Sequence, residues 1–596
     1  MTAPTNELIT GAENVLWDLS DLYAGIEDPL ISRDLESAEK DAEAFAAQYR
    51  GKIASLSAAE LAEAMAALAK IEERSDRVGS FAQLIWSTDV SNATYGALVQ
   101  RSREAESRIS QILLFFSLEW KAIPDETRVD LNDPRLALYH HALAKLLVYR
   151  PHTLSEPEEK ILTEKAVTGR DAWVRFFGET VDPVEYNFEG QNVPQSVVLR
   201  GLYNPERAYR QRAADSVTAG LKTILRPVTY IMNTLLQEKS STDRLRSFPT
   251  WISSRNLSNE APDGAVEALI SAVTSRYDIV ARYYTLKKKL LGYDELFDYD
   301  RYAPLPGSGS TYTWEGAREL ILNAFGTFHP QMATIASEFF DHRWIHAPIK
   351  PGKRGGAYAA PTIASHHPYI FVNFAGMSRD VATLAHELGH GIHMYLSRPR
   401  GHFGAHTPLT TAEMASVFAE MVVFSDLLQR ETDPRARLGM LAGKIEDSFA
   451  TVFRQIAMNR FEDRIHTERR TKGELTTAQI SAAWMDTQKA MFQGSVTLRE
   501  DYSAWWAYVG HFIHTPGYVY AYAFGELLVL ALFNKYKSEG SSFAPKYLEV
   551  LAAGGSDAPE RILAKVGVDL NDPAFWAEGV KALDDLVSEA ERLANA

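Results

Sequence analysis

The stretch Asp380-Val381-Ala382-Thr383-Leu384-Ala385-His386-Glu387-Leu388-Gly389-His390 decides what kind of fold this chain adopts. On a helix, residues four apart stand one above the other on a single face, so both imidazoles reach one metal ion. Glu387, next to the first of them, can face a water at that ion. The flanks predict the helix. Ser378 is a candidate cap, Asp380 suits the first turn, and Val381, Leu384, Leu388 and Ile392 recur at helical spacing. The competing reading is a pair of histidines satisfied within a polar core.

A catalytic zinc site takes three protein ligands and keeps one open position. The pattern His-Glu-x-x-His-x-x-Gly-x-x-His is excluded, because residue 393 is His and residue 396 is Leu. The remaining pattern draws a carboxylate from the next helix. Glu413 and Glu420 lie two turns apart in an otherwise apolar stretch, where an unpartnered carboxylate is costly. Glu413 follows His390 by 23 residues, a feasible helix–loop–helix return, and is the candidate third ligand. Glu420 is the candidate to orient a ligating imidazole through its other nitrogen. His393, His402 and His406 compete for the third position.

Upstream, Lys350 to Ala360 reads as a flexible Gly-rich loop without a dinucleotide or phosphate-loop pattern. His367-Pro368-Tyr369-Ile370-Phe371-Val372-Asn373-Phe374 then reads as a strand. A free edge there would pair with an extended peptide and align it at the metal; the bland alternative is a strand that merely packs the helix. Downstream, Asp501–Glu526 is aromatic. Trp505, Trp506 and Phe512 read as core, whereas His511, Gly517-Tyr518, Tyr520 and Tyr522 offer imidazole and phenol donors suited to an oxyanion. The glycine permits a bend or a close approach.

At 596 residues the chain exceeds what one core serves, so two or more subdomains are expected. A net charge of −15 argues against a nucleic-acid binder and against a basic membrane-surface protein. No cysteine is present, so thiol chemistry, thiolate metal sites and disulfides are excluded. The opening residues lack a basic segment followed by an apolar run, and the longest apolar run, near Leu527–Phe533, is too short to span a bilayer. A cytoplasmic location is the expectation. In chain order, about 28–120 predicts a helix bundle, with Leu61, Met65, Leu68 and Ile71 as one buried stripe. Prolines 124, 134, 151 and 157 punctuate shorter helices. A β-like stretch at 181–203 precedes a helix start at Asn204-Pro205-Glu206-Arg207, with a boundary near 185–205. Long helices follow to about 345, broken at Phe248-Pro249 and Pro304–Ser310, and Lys287-Lys288-Lys289 reads as a solvated face. The coarse fold class is mainly α, with a small sheet beside the metal helix.

These pieces together resemble the thimet oligopeptidase family of zinc peptidases, in its oligoendopeptidase F branch. The resemblance spans most of the chain. It rests on Trp17-Asp18-Leu19-Ser20-Asp21-Leu22-Tyr23, Gly352–Tyr358, Leu384–His390, Glu413-Met414-Ala415-Ser416, and His511 with Tyr518, Tyr520 and Tyr522. The family resemblance implies a two-lobed helical zincin with zinc at the floor of a deep substrate channel. It also implies an N-terminal helical region over 1–110, an oligopeptidase F-type subdomain over 111–200 and a catalytic domain over 201–596. The expected cofactor is one Zn²⁺ per chain, held by His386, His390 and Glu413. Glu387 would be the general base, and His511 with Tyr518 or Tyr522 would stabilise the oxyanion. The His-to-last-Tyr spacing departs by one residue from that of mammalian relatives, and His514 is an extra candidate, so the choice of tyrosine stays open. The expected partners are short, unstructured oligopeptides, with no nucleic acid and no membrane. The expected activity is zinc-dependent endopeptidase hydrolysis. The alternatives are a helical zinc carboxypeptidase or dipeptidyl carboxypeptidase, or a non-catalytic peptide-binding protein on the same scaffold.

Overall fold

A computed structural model of the chain describes residues 10–305 and 311–595. The opening residues read for a secretory signal, and 306–310 of the predicted break at Pro304–Ser310, lie outside the described residues. The elements used below are, in chain order, α1 (Pro29–Tyr49), α2 (Ala58–Thr88), α3 (Ala93–Ala122), β1 (Tyr186–Phe188), β2 (Gln191–Val193), α4 (Arg207–Leu245), β3 (Ile345–His346), β4 (Tyr358–Ala360), β5 (Tyr369–Phe371), α5 (Ser378–Ser397), α6 (Leu409–Arg430), α7 (Phe453–Lys472) and α8 (Tyr520–Glu539). Helices dominate and the sheets are small, as the periodicity predicts. No described helix is long and apolar enough to cross a membrane.

The chain forms two compact units. One comprises Met1–Arg150, Gly309–Arg430 and Lys535–Asp569; the other comprises Pro151–Ser308, Glu431–Asn534 and Leu570–Ala596. In the first, α1, α2 and α3 pack as an antiparallel bundle around Phe45, Leu61, Met65, Leu68, Phe116 and Trp120, all buried. A reciprocal cap fixes the start of α2: Glu60 Oε2 accepts from Ser57 N–H at 2.8 Å and Ser57 Oγ from Glu60 N–H at 3.3 Å.

A three-stranded sheet of order β3-β5-β4 lies beside α5 in the same unit. β5 pairs with β3 in parallel and with β4 antiparallel. The strand predicted at His367–Phe374 is thus interior, and its edge is not free to take a peptide. The open edge belongs to β4, formed by the last residues of the stretch read as a flexible loop. Polar side chains hold that loop where its glycines do not: Lys353 Nζ donates to Pro348 O and Val372 O at 2.8 and 2.6 Å, and Asn373 Nδ2 to Gly356 O at 2.8 Å. Trp17 packs against Tyr369 and Phe371, at ring separations of 5.9 and 5.7 Å, and Tyr369 donates to Asp18 O at 2.7 Å. The opening aromatic segment therefore backs the sheet.

In the second unit the hairpin β1–β2 covers α4. Gly220 makes room for it, because a Cβ there would stand 2.5 Å from the Tyr186 ring. α4 begins at Arg207, one turn-step beyond the predicted start, with Asn204 Oδ1 accepting from Glu206 N–H at 2.8 Å. The core gathers Phe461, Trp484, Trp505, Trp506 and Phe512, the last three as read from sequence. Lys287 contradicts its reading as a solvated face. It is fully buried, with Nζ donating to Glu446 Oε1 and Arg301 O, both at 2.6 Å. Position on the inner face of its helix outweighs membership of a charged triplet.

Candidate active site

α5 carries the histidine pair because its apolar stripe is complete: Val381, Leu384, Leu388 and Ile392 have no exposed surface. The helix start differs from the prediction. Met377 is the residue before the first turn, and Asp380 Oδ2 reaches back to accept from Ala375 N–H and Met377 N–H, each at 2.9 Å. A carboxylate at the third position takes two otherwise orphaned donors, and the cap does not fall to Ser378.

What brings Glu413 to the histidines is the crossing of α5 and α6. A Cβ on Gly389 would stand 2.5 Å from Ala415 O and 2.7 Å from Ser416 Cα, so only glycine lets the two backbones approach this closely. Gly391 does the same toward the helix Pro330–Asp341, where a Cβ would meet the Phe339 ring at 2.7 Å. From behind, Tyr547 stacks on Phe418 of α6 at 4.3 Å and donates to Met414 O at 3.1 Å. Ser416 Oγ lies 3.0 Å from Glu413 Oε2 and so restrains the carboxylate.

His386, His390 and Glu413 each place one donor atom within 4.8 Å of the other two. Glu413 Oε2 stands 3.3 Å from His386 Nε2 and 3.4 Å from His390 Nε2. Two ligands about 2.0–2.1 Å from one tetrahedral ion are separated by roughly 3.3–3.4 Å. A direct charge-assisted hydrogen bond would be shorter, about 2.7–2.9 Å. The spacing and the two-nitrogen, one-oxygen donor set both fit zinc. Glu420 Oε2 lies 3.5 Å from His386 Nδ1, on the opposite side of the ring from Glu413. Burial opposes charge on His386, but the two glutamates override it and push its pKa up to about 10. Burial would raise Glu413, yet the imidazoles hold it well below the ordinary carboxylate range. Glu387 is buried, which raises its pKa, with the His386 and His390 imidazoles and, least, the nearby Ala359 N–H of β4 opposing the shift.

The competing histidines lie outside this donor set. His393 is buried and pushed down to about 3 by desolvation. His402 Nε2 pairs with Glu72 at 2.8 Å, and partial desolvation, with His402 adding to it, lowers the His406 pKa.

In the second unit, His511, Tyr518 and Tyr522 form one cluster. His511 Nε2 lies 3.1 Å from Tyr522 Oη, and the Tyr518 and Tyr522 rings meet edge-on at 5.1 Å. Tyr520 does not join them: it is buried, and its hydroxyl accepts from Asn259 Nδ2 at 3.0 Å. Burial, with His514 adding to it, lowers the His511 pKa. The turn between them is held from behind. Gly517 has φ +76° and donates to Glu462 Oε1 at 2.8 Å, while Arg170 donates to His514 O at 2.8 Å. Sequence reasoning missed Glu462, Gly389 and Ala359. Only the glycine left a signal, as a poor helix former inside a strong helix.

The model of peptidase family M3 matches residues 201–582, and that of Oligopeptidase F matches 119–185. Oligopeptidase PepF of Bacillus subtilis is 26% identical over 97% of this chain and 87% of its own length. The oligoendopeptidase F homolog of Borreliella burgdorferi is 26% identical, covering 94% and 95%. Among solved structures, a Chlamydophila abortus protein superposes with a TM-score of 0.86 at 22% identity, over 97% and 98% of the two chains. Oligoendopeptidase-F of Enterococcus faecium gives 0.70 at 22%, over 95% and 97%. At such identities the structures speak for the fold. The M3 match runs through the histidine pair, Glu413 and the His511–Tyr522 segment, and the chain belongs to peptidase family M3.

Proposed function

We propose that this peptidase is a zinc-dependent endopeptidase of the oligoendopeptidase F type, cutting internal bonds of short, unstructured peptides. The observation that carries the reading is the donor spacing of His386, His390 and Glu413, which suits one tetrahedral ion. The names of the relatives from Bacillus subtilis and Borreliella burgdorferi support the substrate class. Zinc held there would supply Lewis acidity, drawing the pKa of a water toward about 7.

Glu387 accepts the proton of the attacking water and hands it to the departing amine. Its burial raises its proton affinity, which favours that acceptance. The open edge of β4 offers backbone groups to an extended peptide beside Glu387. His511 with Tyr518 or Tyr522 supplies N–H and O–H donors for the developing oxyanion. The hydrogen bond between His511 and Tyr522 orients both rings.

The test is mass spectrometry of a peptide mixture, including peptides blocked at both ends, digested with and without chelator. Internal cleavage of blocked peptides that stops on chelation and returns with zinc is expected. Release only from free C-termini would favour a carboxypeptidase, and zinc-loaded protein that binds peptides intact would favour a binding role.

A further inference from the structure

A cavity of about 330 Å³ lies beside β4, walled by Tyr358, Ala360 and the residues after them on one side and by α2 and α3 on the other. Side chains alternate along a strand, so Tyr358 and Ala360 share the cavity face while Ala359 presents its N–H to Glu387. Small residues on the helices leave the room: a Cβ on Gly79 would already be 3.4 Å from Ser102 Oγ.

The lining is acidic. Asp76 and Glu106 stand against the single guanidinium of Arg103, and partial desolvation, with His402 adding to it, lowers the His406 pKa. Burial raises the Asp76 pKa to about 6, with His402 opposing the shift and Glu72, Glu106 and Glu73 adding to it. His402 Nδ1 is 3.9 Å from Asp76 Oδ2, too far for a hydrogen bond, and its other nitrogen is engaged by Glu72 at 2.8 Å. Ser75, also in the lining, is 4% exposed, and its Oγ has no hydrogen-bond partner among the described residues.

We propose that this cavity receives a cationic side chain, lysine or arginine, of a peptide laid along β4, with Asp76 as its charged partner. The proposal rests on the reading of the chain as a peptidase whose substrate runs beside Glu387. A strand added to β4 sends every second side chain toward the Tyr358–Ala360 face. The aliphatic stem of lysine would lie along Leu84 and Val99, with the ammonium reaching the carboxylate. A neutral side chain of the same length forgoes that attraction between opposite charges, which is the source of discrimination.

Blocked peptides identical except for lysine, norleucine or glutamate at one position, scanned along the sequence, test this. At one position from the cut bond, lysine should exceed norleucine in kcat/KM by about tenfold or more, mainly through KM. Asp76→Asn should bring that ratio near one, and Asp76→Lys should reverse it in favour of glutamate, a gain that misfolding cannot produce. Ratios within each variant cancel any loss of folded protein. A wild type that treats lysine and norleucine alike at every position, or an Asp76→Asn that keeps the preference, overturns the proposal. Calorimetric binding of the same peptides to Glu387→Gln separates the two layers. Tighter lysine binding without wild-type cleavage would sink the peptidase reading and keep the cavity, whereas equal binding would sink the cavity.

Discussion

Glu387 is buried beside two imidazoles, with the Ala359 N–H of the strand edge nearby. An amide there keeps the shape and loses the proton affinity. Glu387→Gln should bind zinc with unchanged stoichiometry and lose about 10²-fold or more of kcat, the scale of general acid–base catalysis. Wild-type turnover by the zinc-loaded variant would remove the role. His386 carries a second prediction. Without metal its pKa is raised to about 10, and an imidazole must lose that proton to ligate. Zinc affinity should therefore climb with pH through the neutral range, about tenfold per unit, with roughly one proton released per ion. Calorimetry in buffers of different ionisation enthalpy reads both, and a pH-independent affinity would contradict the pairing with Glu413 and Glu420. These residues were legible because a fixed i,i+4 spacing on a helix is a local constraint. The Ala359 N–H was not, since it reaches Glu387 only through the pairing of β4 with β5.

At the scale of elements, the crossing of α5 and α6 depends on Gly389. Gly389→Val would drive side-chain atoms into Ala415 O and Ser416 Cα, positions that belong to backbone and cannot swing away. It should cost about 1–3 kcal/mol as overpacking, and should weaken zinc binding far more than a surface change of similar cost. Thermal melting with a parallel zinc titration checks this, and a variant with wild-type affinity would show that the close approach is dispensable. The apolar stripe of α5 was readable from its period, because burial of one face is written into a single segment. The partner of that face was not. The strand at Tyr369–Phe371 lies within the predicted stretch, and of its two readings the packing strand holds and the free edge does not, because β4 arises from a Gly-rich stretch whose order comes from Lys353 and Asn373.

At the scale of the molecule, each compact unit is assembled from three separated stretches of chain, and helical periodicity carries no record of such pairings. Lys287 shows the cost: its charge is satisfied by Glu446, far along the sequence, so a local reading placed it in water. Glu462 offers a global test. It is fully buried and its pKa is pushed up to about 8 by desolvation, the Gly517 N–H and Arg255 opposing only in part. The folded state thus holds a proton that the unfolded chain releases near 4.5, so stability falls as pH rises from about 4.5 to 8. Glu462→Gln lacks that proton equilibrium. Its melting temperature, measured against the wild type, should gain ground between pH 5 and pH 8, and a constant gap would contradict the assignment.

The most direct measurement is anomalous diffraction at the zinc absorption edge from crystals of the zinc-loaded protein. The account predicts one peak per chain, about 2.0–2.2 Å from His386 Nε2, His390 Nε2 and a carboxylate oxygen of Glu413. A peak coordinated by His393, His402 or His406 instead, or no peak at these three side chains, would contradict it.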